Sequence, residues 1–272
     1  MDRNEAVLRE LNLYPQWVRR GKPASVETAI EATHSVSPGP SGKPSSLPTG
    51  SLKSEGTVAG DSAIGEACAA AAVVPVGKAD NSRALRIGEL DWPQLKATVR
   101  DCTACKLRAG CTQTVFGVGD EQADWLFVGE GPGEEEDARG EPFVGQAGKL
   151  LDNMLMAIKL KRGENVYIAN VVKCRPPNNR NPDAEEIAQC LPYIKRQIEL
   201  IQPRLIVALG KTASTALLGK DAPLGTLRGK LHDFNGIPLV VTYHPAYLLR
   251  SPTEKAKAWQ DLCFAVRALP QR

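Results

Sequence analysis

Four short, largely apolar runs constrain this chain more than any other feature. They cover residues 125–130, 166–173, 205–210 and 239–243. Runs of that length read as buried strands rather than helices. Between them lie helical patterns over 147–159, 183–201 and 211–218, and a last one covers 253–269. Strands that alternate with helices build βαβ units and a mostly parallel sheet, and right-handed crossovers place helices on both faces. The predicted fold is α/β: a three-layer α/β/α sandwich around a central, mostly parallel four-stranded sheet. Such a sheet gathers its strand C-terminal ends on one edge, where open α/β sheets bind ligands. Here those ends carry Glu130, Asn170 and His244.

The first run breaks into Gly129-Glu130-Gly131-Pro132-Gly133 and then four carboxylates, Glu134 to Asp137. A glycine-rich turn after a strand often cradles phosphate. This spacing matches neither common phosphate motif, and the carboxylates would repel an anion. What remains is a loop that brings backbone N–H groups and one acidic side chain, Glu130, to a pocket floor. The carboxylate run itself also suits an ordinary helix start, where the dipole favours negative charge.

The chain of 272 residues carries a formal net charge of +3, compatible with nucleic acid without pointing to it. Its N-terminus has no secretory pattern, and no apolar run reaches the roughly 18 residues of a membrane span. An intracellular, reducing setting is expected, in which the seven cysteines serve as metal ligands or free thiols rather than disulfides. Residues 34–84 are rich in Ser, Pro and Gly without periodicity, so the expected organisation is an amphipathic segment (1–22), a disordered linker (23–84) and a globular domain (85–272).

Cys102-x2-Cys105 is followed by Cys174 and, after a Pro/Asn-rich loop, by Cys190. One close pair and two single cysteines can make a four-thiolate site for zinc or an iron–sulfur cluster. Spacing does not separate the two. The absence of a second C-x2-C knuckle inclines the reading to [4Fe–4S]. Cys111 is a fifth candidate, whereas Cys68 and Cys263 suit buried, unliganded thiols.

Gly129-Glu130-Gly131-Pro132-Gly133-Glu134-Glu135, Pro142-Phe143-Val144-Gly145, Asn170-Val171-Val172-Lys173-Cys174-Arg175-Pro176-Pro177 and His244-Pro245-Ala246-Tyr247-Leu248-Leu249-Arg250 occur in that order. Together with the four cysteines, they resemble the family 4, iron–sulfur uracil-DNA glycosylases. The resemblance covers about residues 92–269. It implies a [4Fe–4S] cluster on Cys102, Cys105, Cys174 and Cys190, and hydrolysis of the N-glycosidic bond of deoxyuridine in DNA. The expected product is an abasic site, the first step of base excision repair.

The resemblance and the chemistry suggest a role for each residue. A base must leave the stack to be cut. Phe143 would stack on it, and the Asn170 amide would accept from uracil N3–H and donate to O4, a pattern that cytosine reverses. His244 would donate to O2 as charge develops there. Glu130 would hold the attacking water, Gly131 and Gly133 would offer backbone N–H groups, and one of Glu134, Glu135 or Glu136, with Glu136 the choice, would crowd C5 and exclude thymine. Leu248 is expected as a wedge in the emptied stack and Arg250 as a phosphate contact. Arg175, Arg180, Lys211, Arg228 and Lys230 are candidates for a basic track around the mouth.

Two rival readings differ in kind. One is a non-catalytic iron–sulfur DNA-binding module of the replication or repair machinery, which could dispense with the pocket. The other is a covalent uracil-capturing relative, disfavoured because Leu227 to His232 holds no basic insertion. The expected protein is a monomer, cytoplasmic and nucleoid-associated. Residues 7–20 hold Leu8, Leu11, Leu13, Trp17, Arg19 and Arg20. They resemble the N-terminal peptide of the psi subunit of the bacterial clamp-loader complex, and suggest a tether to a replication protein; the alternative is a helix that folds back onto the globular domain.

Overall fold

Apolar side chains on both faces of the same strands require helices above and below the sheet. In the computed structural model, which describes residues 81–269, the sheet has six strands. They are β1 (Val118–Gly119), β2 (Trp125–Gly129), β3 (Val166–Asn170), β4 (Leu205–Leu209), β5 (Leu231–Phe234) and β6 (Ile237–Thr242), in the order β1-β3-β2-β4-β6-β5. The four expected strands are its parallel centre. Two short antiparallel strands, β1 beside β3 and β5 beside β6, close its edges.

The helices are α1 (Asn81–Gly88), α2 (Trp92–Arg100), α3 (Glu134–Arg139), α4 (Gln146–Ala157), α5 (Ala184–Ile201), α6 (Gly210–Leu218), α7 (Leu224–Leu227), α8 (Pro245–Arg250) and α9 (Lys255–Ala268). Strand alternation sorts the core into two layers. Leu126, Val128, Ala169, Ile206, Ala208 and Val241 pack with Leu95, Ile194 and Ala213 of α2, α5 and α6. Phe127, Ile168, Val207 and Val240 pack with Leu151, Leu155, Leu248 and Leu262 of α4, α8 and α9. That is the expected three-layer arrangement.

α1 straddles the expected boundary between linker and domain. Its Arg83 donates to Gln189 O (2.7 Å) and lies 4.9 Å from the centre of the Tyr193 ring. The amphipathic segment 1–22 and residues 23–80 of the linker fall outside the described residues. Among the described residues, no helix is long and apolar enough to cross a membrane.

Register sets the level of the site. Gly129 pairs with Asn170, Ala208 with Val241, and Leu209 with Thr242. Glu130, Asn170, Gly210 and His244 therefore emerge at one edge, within two residues of their strand ends.

Candidate active site and cysteine cluster

The strand ends open into a cavity of about 700 Å³. Its walls include every residue expected to act on the base or the attacking water: Glu130, Gly131, Gly133, Glu136, Phe143, Asn170 and His244. At the floor, Gly129 lets two of them approach, since a Cβ there would run into Asn170 Oδ1 and the Phe143 ring. Asn170 is 2 % exposed, and its Oδ1 has no hydrogen-bond partner among the described residues. An unpaired buried acceptor costs about 1–3 kcal/mol, a cost that a bound donor would remove.

Phe143 holds φ at +56°, a strained value for a residue with a side chain. Arg162 clamps it by donating to Pro142 O (2.9 Å) and Phe143 O (2.8 Å) while pairing with Asp152. The Phe143 ring lies 5.5 Å from the His244 ring, tilted by 30°. His244 caps α8, its Nδ1 accepting from the Ala246 N–H at 3.2 Å. A backbone N–H can only donate, so the imidazole is neutral and carries its proton on Nε2. Burial first, and the Arg250 charge second, push its pKa down to about 4, with Glu136 opposing.

The four carboxylates after Gly133 divide their work. Glu136 accepts from the backbone N–H groups of Gly133 (3.1 Å), Val144 (2.9 Å) and Gly145 (3.0 Å), which laces the two loops of the pocket together. Asp137 is buried and accepts from Thr112 N and Gln113 N. Glu134 and Glu135 are exposed beside Arg175 and Arg139. Glu130 Oε2 accepts a hydrogen bond from Thr212 Oγ1 in the first turn of α6. The sequence reading missed both Thr212 and Arg162. These are contacts made across the fold, and no motif announces them.

At the mouth stand Arg180, Lys211 and Arg250. Arg180 is held by Glu186 (2.7 Å) and Lys211 by Asp221 (2.9 Å). Two expectations need correction. Leu248 is not a free wedge: it is 1 % exposed and packs in the core, because residues 245–250 form a helix whose inner face it occupies. The exposed apolar side chains of that helix are Tyr247 and Leu249. Arg228 is not part of a surface track. It is half-buried and paired with Asp261 (2.7 Å), and its guanidinium lies 4.2 Å from the centre of the Tyr243 ring.

Cys102, Cys105, Cys174 and Cys190 line one small apolar cavity. Among the described residues, no three His, Cys, Asp or Glu side chains are arranged to hold a metal ion as they stand. The donor chemistry nevertheless fits a thiolate-bound group. As they stand the sulfurs keep their protons, since burial, then the neighbouring thiols, raise the pKa of Cys174 and burial pushes Cys190 up to about 12 against the pull of Lys173; a bound metal would displace those protons. N–H donors already face the sulfurs, from Lys173 N to Cys190 Sγ (3.2 Å) and from Arg83 to Cys102 Sγ (3.6 Å). Cys111 does not line that cavity. It adjoins Cys174 from outside it and receives a bond from Arg108. Lys173 bridges the two sites, its buried Nζ donating to Asn170 O (2.9 Å), Phe116 O (3.0 Å) and Gln197 Oε1 (2.6 Å).

Residues 116–263 match the family model of the uracil DNA glycosylase superfamily. The chain is 48 % identical over 161 residues to the type-4 uracil-DNA glycosylase of Thermotoga maritima, covering 83 % of that protein and 58 % of this one. It is 44 % identical over 162 residues to the type-4 enzyme of Archaeoglobus fulgidus, covering 81 % of it and 57 % of this chain. With the type-4 enzyme of Pyrobaculum aerophilum the identity is 41 % over 183 residues, 93 % of that protein and 64 % of this one. The chain belongs to the uracil DNA glycosylase superfamily and, within it, to the type-4 family.

Proposed function

We propose that this chain excises uracil from DNA by hydrolysing the bond between N1 of the base and C1′ of the sugar. The observation that carries this reading is the buried, unpartnered Oδ1 of Asn170 at the floor of a cavity walled by Phe143 and His244. An acceptor there is satisfied by uracil N3–H and opposed by the N3 lone pair of cytosine. The Asn170 amide N–H₂ then meets O4. Phe143 stacks on the flipped base, and Glu136, fixed by its three backbone bonds, walls off the C5 position where thymine carries a methyl group.

In the reaction the C1′–N1 bond breaks and both electrons leave with uracil. Charge grows on O2, where the Nε2–H of neutral His244 donates to it. A neutral donor suits the task, since it stabilises the anion without giving up its proton. Water adds to C1′, and its proton passes to the carboxylate of Glu130 and on to solvent. Glu130 Oε2 is taken by Thr212, which leaves Oε1 for the water. Gly131 supplies a backbone N–H at the rim, that of Gly133 being held by Glu136, and Arg180, Lys211 and Arg250 supply positive charge for the DNA backbone. With Leu248 in the core, Tyr247 and Leu249 are the side chains available to fill the emptied stack.

Cys102, Cys105, Cys174 and Cys190 would hold a [4Fe–4S] cluster. When bound, that group ties the loop between Cys174 and Cys190 to the segment after α2. The non-catalytic alternative is disfavoured because the pocket is complete. The test is incubation with a uracil-containing oligonucleotide. Free uracil and an alkali-labile site with no nick before alkali are expected. A strand cut without alkali, or no uracil released, would overturn the reading.

A further inference from the structure

The two proposed catalytic groups come from strands on opposite sides of β4: Glu130 follows β2 and His244 follows β6. What lies between them is the start of α6, directly after β4. Two observations there are independent. Gly210, with φ +88°, faces His244 so closely that an added Cβ would stand 3.0 Å from the His244 Cβ. Two residues on, the Thr212 hydroxyl donates to Glu130 Oε2. One turn of helix thus abuts both groups.

We propose that Thr212 is a positioning residue for hydrolysis: its hydroxyl holds one oxygen of Glu130 so that the other faces the attacking water. This rests on the water-holding role proposed for Glu130. A carboxylate on a two-carbon stem has three torsions to fix, and a Glu between two glycines has little local packing to fix them. No other hydrogen bond of the Glu130 side chain is found among the described residues, so Thr212 is what orients it. The hydroxyl also has a single proton to donate. With that proton on Oε2, Thr212 cannot donate to a water in competition with Glu130. Its second role is steric. A β-branched side chain in the first turn of α6 has restricted rotamers, so the hydroxyl is aimed before substrate arrives.

The test uses the full chain with its metal content intact. Thr212→Val keeps the branched shape and removes the hydroxyl, and Thr212→Ser keeps the hydroxyl. The single-turnover excision rate is measured beside affinity for a 2′-fluorinated deoxyuridine duplex, which is bound but resists cleavage, and beside thermal melting. The valine variant should lose about tenfold to a hundredfold in rate, the range for a hydrogen bond to a charged group. Its affinity and melting temperature should be unchanged, and the serine variant should recover most of the rate. Glu130→Gln should lose rate as well, and the double variant should be no slower than Glu130→Gln alone. Valine at the wild-type rate while Glu130→Gln is impaired would overturn the inference and leave the role of Glu130 standing. Losses that multiply in the double variant would also overturn it, since Thr212 would then act other than through Glu130. Glu130→Gln at the wild-type rate would remove the water-holding role, and the inference with it.

Discussion

The protonation of His244 gives the sharpest quantitative handle on this site. A free imidazole titrates near 6.5, and burial takes His244 down to about 4. At pH 5 a histidine of pKa 6.5 would be about 97 % charged, whereas one of pKa 4 is about 9 % charged. Lowering the pH from 7.5 to 5 should therefore cost only about a tenth of the single-turnover rate through His244, against about thirtyfold for an ordinary histidine. The same shift has a stability consequence. Between pH 6.5 and 4 the unfolded chain binds a proton at this position that the folded chain refuses. The contribution of neutral His244 is thus fully present above 6.5, and it is lost as the pH falls towards 4. At about 1.4 kcal/mol per unit, the loss over that window is about 3 kcal/mol. His244→Gln has no such proton to bind. Denaturant unfolding of the two proteins from pH 4 to 8 should show curves that diverge below 6.5, with the wild type losing more. A rate that halves near pH 6.5, or parallel stability curves, would refute the neutral imidazole.

Other outcomes follow from the same geometry. Leu248→Ala should destabilise the fold by about 2–5 kcal/mol in denaturant melts, as a core truncation does, whereas Tyr247→Ala should keep stability and weaken binding to duplex uracil DNA. Cys174→Ser should abolish bound iron and sulfide in anaerobically purified protein and lower the melting temperature, while Cys111→Ser should keep both; stoichiometric zinc without iron would contradict the cluster. A chain starting at Asn81 should keep the excision rate and melting temperature of the full protein. One starting at Leu85 should melt lower, because it lacks Arg83 and its bonds to Gln189 and Cys102.

The parallel centre of the fold was legible because strands buried on both faces are apolar throughout, so Trp125 to Val128 and Leu205 to Leu209 stand out from their surroundings. The hairpin β5–β6 was missed although Asn235-Gly236 announces it: both residues hold positive φ, as a two-residue turn of that kind requires. β1 has only two residues and leaves no pattern to read. Glu130, Asn170 and His244 could be placed together because strand ends converge whatever the packing above them. Leu248 does not act as the expected wedge because Pro245 suits the first position of a helix, whose inner face Leu248 occupies. Thr212 and Arg162 were out of reach for a different reason. Their partners, Glu130 and Phe143, lie 82 and 19 residues away, and only the folded chain brings them together.

If the glycosidic bond is cut in the cavity at the strand ends, the residues that line that cavity must set the rate. The most direct measurement is the single-turnover rate of uracil release by Asn170→Ala and His244→Ala, each checked for native melting and metal content. Losing a positioned hydrogen-bonding group in the transition state should cut the rate by about 10²–10⁴ in each variant. Two folded variants that release uracil at the wild-type rate would contradict it.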